Sequence, residues 1–110
     1  MIKMQIKMDE KKIKSDGRYN LAKIHGALDN YFVNTLRFTK GSDGFYLGNG
    51  SPNDYGNFGI AMVTLGKKQW FMDNVETWLY FNSNNSSNPN DFEVEDFKEY
   101  CQQRYHEKVV

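Results

Sequence analysis

Residues 2–8 read IKMQIKM, and the strict alternation in this stretch decides what kind of fold the chain can adopt. A side-chain period of two predicts a β-strand with one buried face and one solvated face. The lysines on the solvated face are typical of an edge strand, where they discourage pairing with other chains. The buried face would carry Ile2, Met4, Ile6 and Met8, and the solvated face Lys3, Gln5 and Lys7.

An amphipathic helix is predicted after this strand. The SDG triplet at 15–17 breaks the alternation, and Asp16 suits the N-cap of a helix over residues 18–34. Apolar residues recur through that stretch at spacings of three and four, which is typical of a helix with one buried face. Gly26 inside it costs about 1 kcal/mol relative to alanine, which suggests close approach by another element.

The rest of the chain alternates between strand-like segments and turn-rich loops. We expect strands at 36–40, 45–47, 58–65 and 75–81, a helical turn at 69–74, a loop at 82–90 and a final helix at 94–107. The resulting order is β-α-β-β-β-β-α. Strands joined by short loops and bracketed by helices indicate one α+β domain over residues 1–110. It would have a four- to five-stranded, mostly antiparallel sheet with two helices packed on it.

The composition is that of a small folded protein. The chain has 110 residues, and eight Phe, seven Tyr and two Trp can supply its core. The single cysteine excludes an intramolecular disulfide and fits a reducing compartment.

The N-terminal residues are too densely charged for a signal peptide or a membrane span, so we expect a cytoplasmic location. Abundant Asn, Lys, Phe and Tyr suggest an AT-rich coding sequence, as in a low-GC bacterium or its mobile elements.

Charge is unevenly divided along the chain. Residues 1–40 carry nine basic and four acidic side chains, whereas residues 41–110 carry five basic and ten acidic ones. Such asymmetry marks a partner surface, or two halves that compensate each other when they fold together.

No catalytic or metal-binding signature accompanies these elements. The chain has two histidines, His25 and His106, and one cysteine, Cys101, without the spacing of a zinc site. Gly48 and Gly50 lack the third glycine of a dinucleotide-binding loop. We therefore expect a protein without cofactor or metal, and not an enzyme.

Residues 41–97 look like a recognition surface. They hold eleven aromatic residues and eight carboxylates but only two lysines. If the strand at 75–81 alternates from Val75 inward, then Trp78 and Tyr80 face outward, unless a second layer covers them. The candidate partner-binding residues are Trp70, Asp73, Glu76, Trp78 and Tyr80. They predict a non-catalytic module that occludes a partner protein with a basic surface, as inhibitors, immunity proteins and anti-defence factors do.

Two other functions compete with this hypothesis. One is binding of single-stranded nucleic acid by basic side chains near the N-terminus, with aromatic rings as stacking platforms. Its candidate residues are Lys3, Lys7, Lys11, Lys12, Lys14 and Arg18. The other is a small enzyme whose site forms only in three dimensions. The sequence allows a monomer or a homodimer.

Overall fold

A computed structural model describes residues 1–106 as one five-stranded antiparallel sheet with helices. The predicted α+β class is therefore confirmed. The strands are β1 (Ile2–Met8), β2 (Thr39–Lys40), β3 (Phe45–Leu47), β4 (Val75–Asn82) and β5 (Glu93–Asp96). Their order in the sheet is β2-β3-β1-β4-β5. The α-helices are α1 (Glu10–Asp16), α2 (Leu21–Asp29), α3 (Asp54–Gly66), α4 (Gln69–Asn74) and α5 (Phe97–Cys101). One π-helical segment, Asn30–Thr35, continues α2, and another, Gln102–His106, continues α5.

The first strand lies at the centre of the sheet, so the expectation of an edge position is wrong. β1 pairs with β3 on one side and with β4 on the other, and Met4 lies opposite both Tyr46 and Tyr80. The lysines of β1 lie instead on the sheet face that the helices of residues 1–106 leave uncovered. Solvent reaches that face in the middle of a sheet as well as at its edge, so a charged face does not reveal strand position.

All helices cover the other face of the sheet. Their buried residues belong to the same core as the even-numbered residues of β1. The molecule measures 45 × 37 × 21 Å, and the short dimension fits one sheet under one helical layer. Among residues 1–106, no helix is both long enough and apolar enough to cross a membrane.

The predicted helix over residues 18–34 is confirmed in substance, but it begins later. Asn20 is its N-cap, and its side-chain oxygen accepts a hydrogen bond of 3.2 Å from the backbone N–H of Lys23. Asp16 instead ends the separate helix α1, which was not predicted. That helix buries only Ile13 among lysines, so it shows little amphipathic pattern. Nothing lies within 4 Å of a Cβ built on Gly26, so the expected close approach there is wrong.

The segment at 58–65 is helical, so the predicted strand there is wrong. It belongs to α3, whose buried residues Phe58, Ala61 and Leu65 follow each other at three- and four-residue spacing. A nearly continuous apolar run hides this period, because buried strands and buried helices have the same composition over short stretches. The sheet gains its fifth strand at residues 93–96, where a helix was expected. Of the segment at 36–40, only Thr39–Lys40 forms a strand.

A β-bulge turns the aromatic residues of β4 toward the core. Lys7 pairs with Thr77 and Met8 with Val75, so Glu76 is an extra residue in the ladder. Val75 and Trp78 both reach the core although they are three residues apart. The prediction that Trp78 and Tyr80 face outward is therefore wrong, since strict alternation does not continue through a bulge.

The C-terminal helix begins at Phe97, three residues later than predicted. Asp96 caps it, accepting a hydrogen bond of 3.0 Å from the backbone N–H of Glu99. The last residue of the predicted helix, Glu107, lies outside the described residues.

Candidate binding groove

Trp78 is part of the core and not of any surface. Its exposed fraction is 0%, and its Nε1–H points at the Met4 sulfur 3.1 Å away. The indole ring meets Phe71 and Phe97 edge to face, with ring centroids 5.0 and 5.7 Å apart. An indole packed in this way stabilises the fold and is not available to a partner.

The other predicted partner-binding residues do not form one surface with Trp78 and Tyr80. Trp70 is half-buried in α4 and packs against Tyr19, with centroids 6.4 Å apart. Asp73 is exposed on α4, where its carboxylate accepts a hydrogen bond of 2.6 Å from Gln69. Glu76 is exposed at the bulge of β4.

A groove with a volume of about 400 Å³ lies between α3 and the edge of the sheet formed by β4 and β5. We call it the tyrosine–glutamate groove. Its wall on α3 contains two glycines, Gly56 and Gly59, and nothing lies within 4 Å of a Cβ built on either of them. Its other lining residues are Tyr55, Met62, Tyr80, Asn82, Asn85, Glu93, Glu95, Phe97 and Tyr100.

Tyr80 places a polar atom at the wall of this groove. Its side chain is 5% exposed, and its ring stacks on Phe97 with centroids 4.9 Å apart. Its hydroxyl is buried and has no hydrogen-bond partner among residues 1–106. Burial, with Tyr55 and Glu95 nearby, raises the pKa of Tyr80 to about 12, although Asn82 opposes the increase. At neutral pH the hydroxyl is therefore protonated, so it can donate a hydrogen bond and accept one.

Two carboxylates of β5 lie on the same face of the sheet as the Tyr80 hydroxyl. Glu93 and Glu95 pair in register with Asn82 and Tyr80, so both belong to the helical side of the sheet and line the groove. Neither forms an ion pair within residues 1–106. The groove therefore has uncompensated negative charge.

Exposed tyrosine rings complete the groove. Tyr55 is 68% exposed and Tyr100 is 48% exposed. Neither residue was among the predicted site residues. Tyr55 lies at the start of α3, which was not predicted as a helix, whereas Tyr100 lies in the predicted C-terminal helix. The two-residue spacing of Glu93 and Glu95 was the signal that could have indicated a strand with both carboxylates on one face.

The basic residues predicted to bind nucleic acid are divided between different elements. On the uncovered sheet face, the Lys3 Nζ lies 4.6 Å from the ring centroid of Phe45 and 4.5 Å from that of Phe92. On the same face, Lys7 pairs with Asp43 at 3.0 Å. The remaining ones, Lys11, Lys12, Lys14 and Arg18, are exposed on α1 or just after it.

The cysteine and the two histidines contact other parts of the fold. Cys101 is buried, and burial raises the pKa of its thiol to about 11, so the thiol is protonated at neutral pH. A nitrogen of His106 lies 2.6 Å from the Gly66 carbonyl oxygen, and one of His25 lies 3.3 Å from a Glu10 oxygen. Residues 1–106 contain no group of three side chains arranged to hold a metal ion.

The tyrosine–glutamate groove brings together a buried polar atom, carboxylates and exposed rings. Such a combination is typical of a binding site, since apolar walls give contact area and a few polar groups fix orientation. Comparisons of the chain with protein-family models, with curated proteins and with solved structures give no match, so the chemistry of this groove is the basis for assigning a function.

Proposed function

We propose that the protein is a small, non-catalytic protein-binding module that occludes a basic surface of its partner with the tyrosine–glutamate groove. The observation that supports this most directly is the position of Glu93 and Glu95 beside the exposed ring of Tyr55. Carboxylates without ion-pair partners attract a basic surface, and tyrosine rings supply contact area at a small entropic cost. Inhibitors, immunity proteins and anti-defence factors of mobile elements act by this kind of occlusion.

The edge of the sheet supports the same proposal. β5 is the last strand in the sheet order, so one side of its backbone is unpaired within residues 1–106. All four of its residues are exposed, and three of them are acidic: Glu93, Glu95 and Asp96. Charge on an edge strand discourages pairing with another copy of the same strand, whereas it favours a basic partner.

Two double variants with the same loss of charge test the location. Glu93→Gln with Glu95→Gln neutralises the groove, and Asp73→Asn with Glu76→Gln neutralises the surface predicted from sequence. Tagged protein is used to capture partners from nuclease-treated lysate of the source cells, and affinity for the captured protein is then measured at several salt concentrations. We expect the groove variant to bind at least about tenfold more weakly, because each lost charge-assisted contact is worth roughly 1.5–3 kcal/mol.

The control variant is expected to bind like the wild type. Capture of no stoichiometric protein, or loss of binding only in the Asp73 and Glu76 variant, would contradict the proposal. The same experiment without nuclease separates protein partners from proteins held through nucleic acid.

A second candidate function is binding of single-stranded nucleic acid on the uncovered sheet face. The observation that favours it is Lys3 beside the half-buried rings of Phe45, Phe81 and Phe92. Rings on an open sheet face can stack bases, and a lysine beside them can contact phosphate. Labelled oligonucleotides test this. Affinity should fall steeply with salt and should fall further in Lys3→Gln than in Lys14→Gln. An absence of binding at low salt would exclude it.

A further inference from the structure

The tyrosine–glutamate groove contains an unusual combination of one buried hydroxyl and two exposed carboxylates. The hydroxyl belongs to Tyr80, whose side chain is 5% exposed and whose oxygen has no partner among the described residues. A buried polar atom without a partner destabilises a folded protein, and a ligand in the groove would supply the missing partner. Glu93 and Glu95 line the same groove, and their negative charge favours a cationic ligand.

We propose that the groove accepts the side chain of an arginine that projects from the partner protein. This inference rests on the proposed function and specifies what the partner must present. The guanidinium group would lie between the hydroxyl of Tyr80 and the carboxylates of Glu93 and Glu95.

The chemistry of the groove favours arginine over lysine. A guanidinium has five N–H donors in a planar fork, so it can donate to a phenolic oxygen and to two carboxylates at once. It is also more weakly hydrated than an ammonium group, and it stacks on aromatic faces such as those of Tyr55 and Tyr100. Lysine offers a compact charge with no planar surface, so it uses the rings less well.

The groove also has room for the aliphatic part of that side chain. Nothing lies within 4 Å of a Cβ built on Gly56 or on Gly59, and both glycines belong to α3. Glycine has a low helix propensity, so neither residue stabilises the helix itself. Two such residues on the groove wall keep open a space that larger side chains would fill.

Titration of the full chain with short peptides, followed by NMR, tests the inference without the partner. The probes are acetylated and amidated Gly-Arg-Gly, Gly-Lys-Gly and Gly-citrulline-Gly, of which citrulline has the shape of arginine without its charge. We expect saturable shifts of Tyr80, Glu93 and Glu95 with the arginine peptide and affinity about tenfold lower for the citrulline peptide. Equal affinity for the arginine and citrulline peptides would overturn the inference. Shifts of Asp73 and Glu76 as large as those of the groove residues would also overturn it.

Two variants provide a second measurement. Gly59→Leu fills the groove while it keeps every charge and favours the helix, and Tyr80→Phe removes only the hydroxyl. We expect Gly59→Leu to abolish the saturable shifts and Tyr80→Phe to weaken arginine binding several-fold. Binding of the arginine peptide to Gly59→Leu at wild-type affinity would show that the cation does not enter the groove.

Failure of this inference can be distinguished from failure of the proposed function. If the partner is lost in the Glu93 and Glu95 double variant but retained by Gly59→Leu, the acidic edge binds a protein without taking an arginine into the groove. If arginine peptides bind the groove but the double variant captures the partner normally, the proposed binding function is wrong and the groove takes a different ligand.

Discussion

The hydroxyl of Tyr46 donates a hydrogen bond of 2.6 Å to the carboxylate of Asp29. This contact joins the end of α2 to the hairpin of β2 and β3, and Lys40 donates to the same carboxylate at 2.6 Å. Partial burial alone would raise the pKa of Asp29, but the hydrogen bonds from Lys40 and Tyr46 outweigh it, so the pKa lies below its usual 3.8. Burial and the bond to Asp29 raise the pKa of Tyr46.

Asp29→Asn should lower the free energy of unfolding at neutral pH by about 1 kcal/mol, because a hydrogen bond to a charged acceptor is replaced by a neutral one. The Lys40 side chain is 59% exposed, so its ion pair contributes little to this value. The folded-state pKa is depressed, so the stabilisation by Asp29 is complete above about pH 3.8 and is lost as pH falls through the lower folded-state value.

Urea titrations between neutral and strongly acidic pH measure this effect. In the variant, the free energy of unfolding should depend less steeply on pH below about pH 4 than in the wild type. Asp91→Asn, at an exposed position, is the matched control and should keep the wild-type slope. Parallel curves for Asp29→Asn and the wild type would show that the Tyr46 contact does not stabilise the ionised carboxylate.

Gly66→Ala and Gly26→Ala should change stability in opposite directions. A Cβ on Gly66 would lie 2.5 Å from the Cys101 sulfur and 3.0 Å from its Cβ, where α3 packs against α5. Such overpacking destabilises by about 1–3 kcal/mol. A Cβ on Gly26 meets nothing within 4 Å, so this change should stabilise by about 1 kcal/mol through helix propensity. Chemical denaturation of both variants checks the pair, and equal signs would contradict the packing described.

Trp78→Ala should destabilise the fold by about 3–5 kcal/mol, because it removes a fully buried indole and leaves a cavity among aromatic rings. Trp78→Phe keeps a ring in the core and should lose less. Urea denaturation followed by circular dichroism measures both changes. A stable, normally folded Trp78→Ala protein would mean that the indole lies at the surface, as alternation along β4 predicts.

Tyr80→Phe and Tyr46→Phe remove the same atom from different surroundings. The hydroxyl of Tyr80 has no partner among residues 1–106, so its removal should raise the free energy of unfolding by about 1 kcal/mol. The hydroxyl of Tyr46 is bonded to Asp29, so its removal should lower that free energy by about 1–2 kcal/mol. Thermal and chemical denaturation compare the two. A loss of stability in Tyr80→Phe would show that its hydroxyl already has a partner in the free protein.

The sequence by itself determined the fold class and several elements. The alternation at 2–8 and 75–81 corresponds to β1 and β4, the apolar spacing after residue 20 to α2, and the segment at 69–74 to α4. These predictions succeeded because each pattern reflects local periodicity, which depends only on neighbouring residues. Residues 41–44, GSDG, have the composition of a turn and connect β2 to β3, where Asp43 and Gly44 adopt positive φ angles of 56° and 79°.

Only the tertiary structure decided which side chains meet. The bulge at Glu76 turned Trp78 and Tyr80 inward, because one extra residue in a ladder exchanges the faces of a strand. The groove depends on α3 lying against β4 and β5, so that Tyr55 lies near Glu95 although the two are forty residues apart. Such contacts arise from the packing of distant segments into one core, and no local pattern in the chain encodes them.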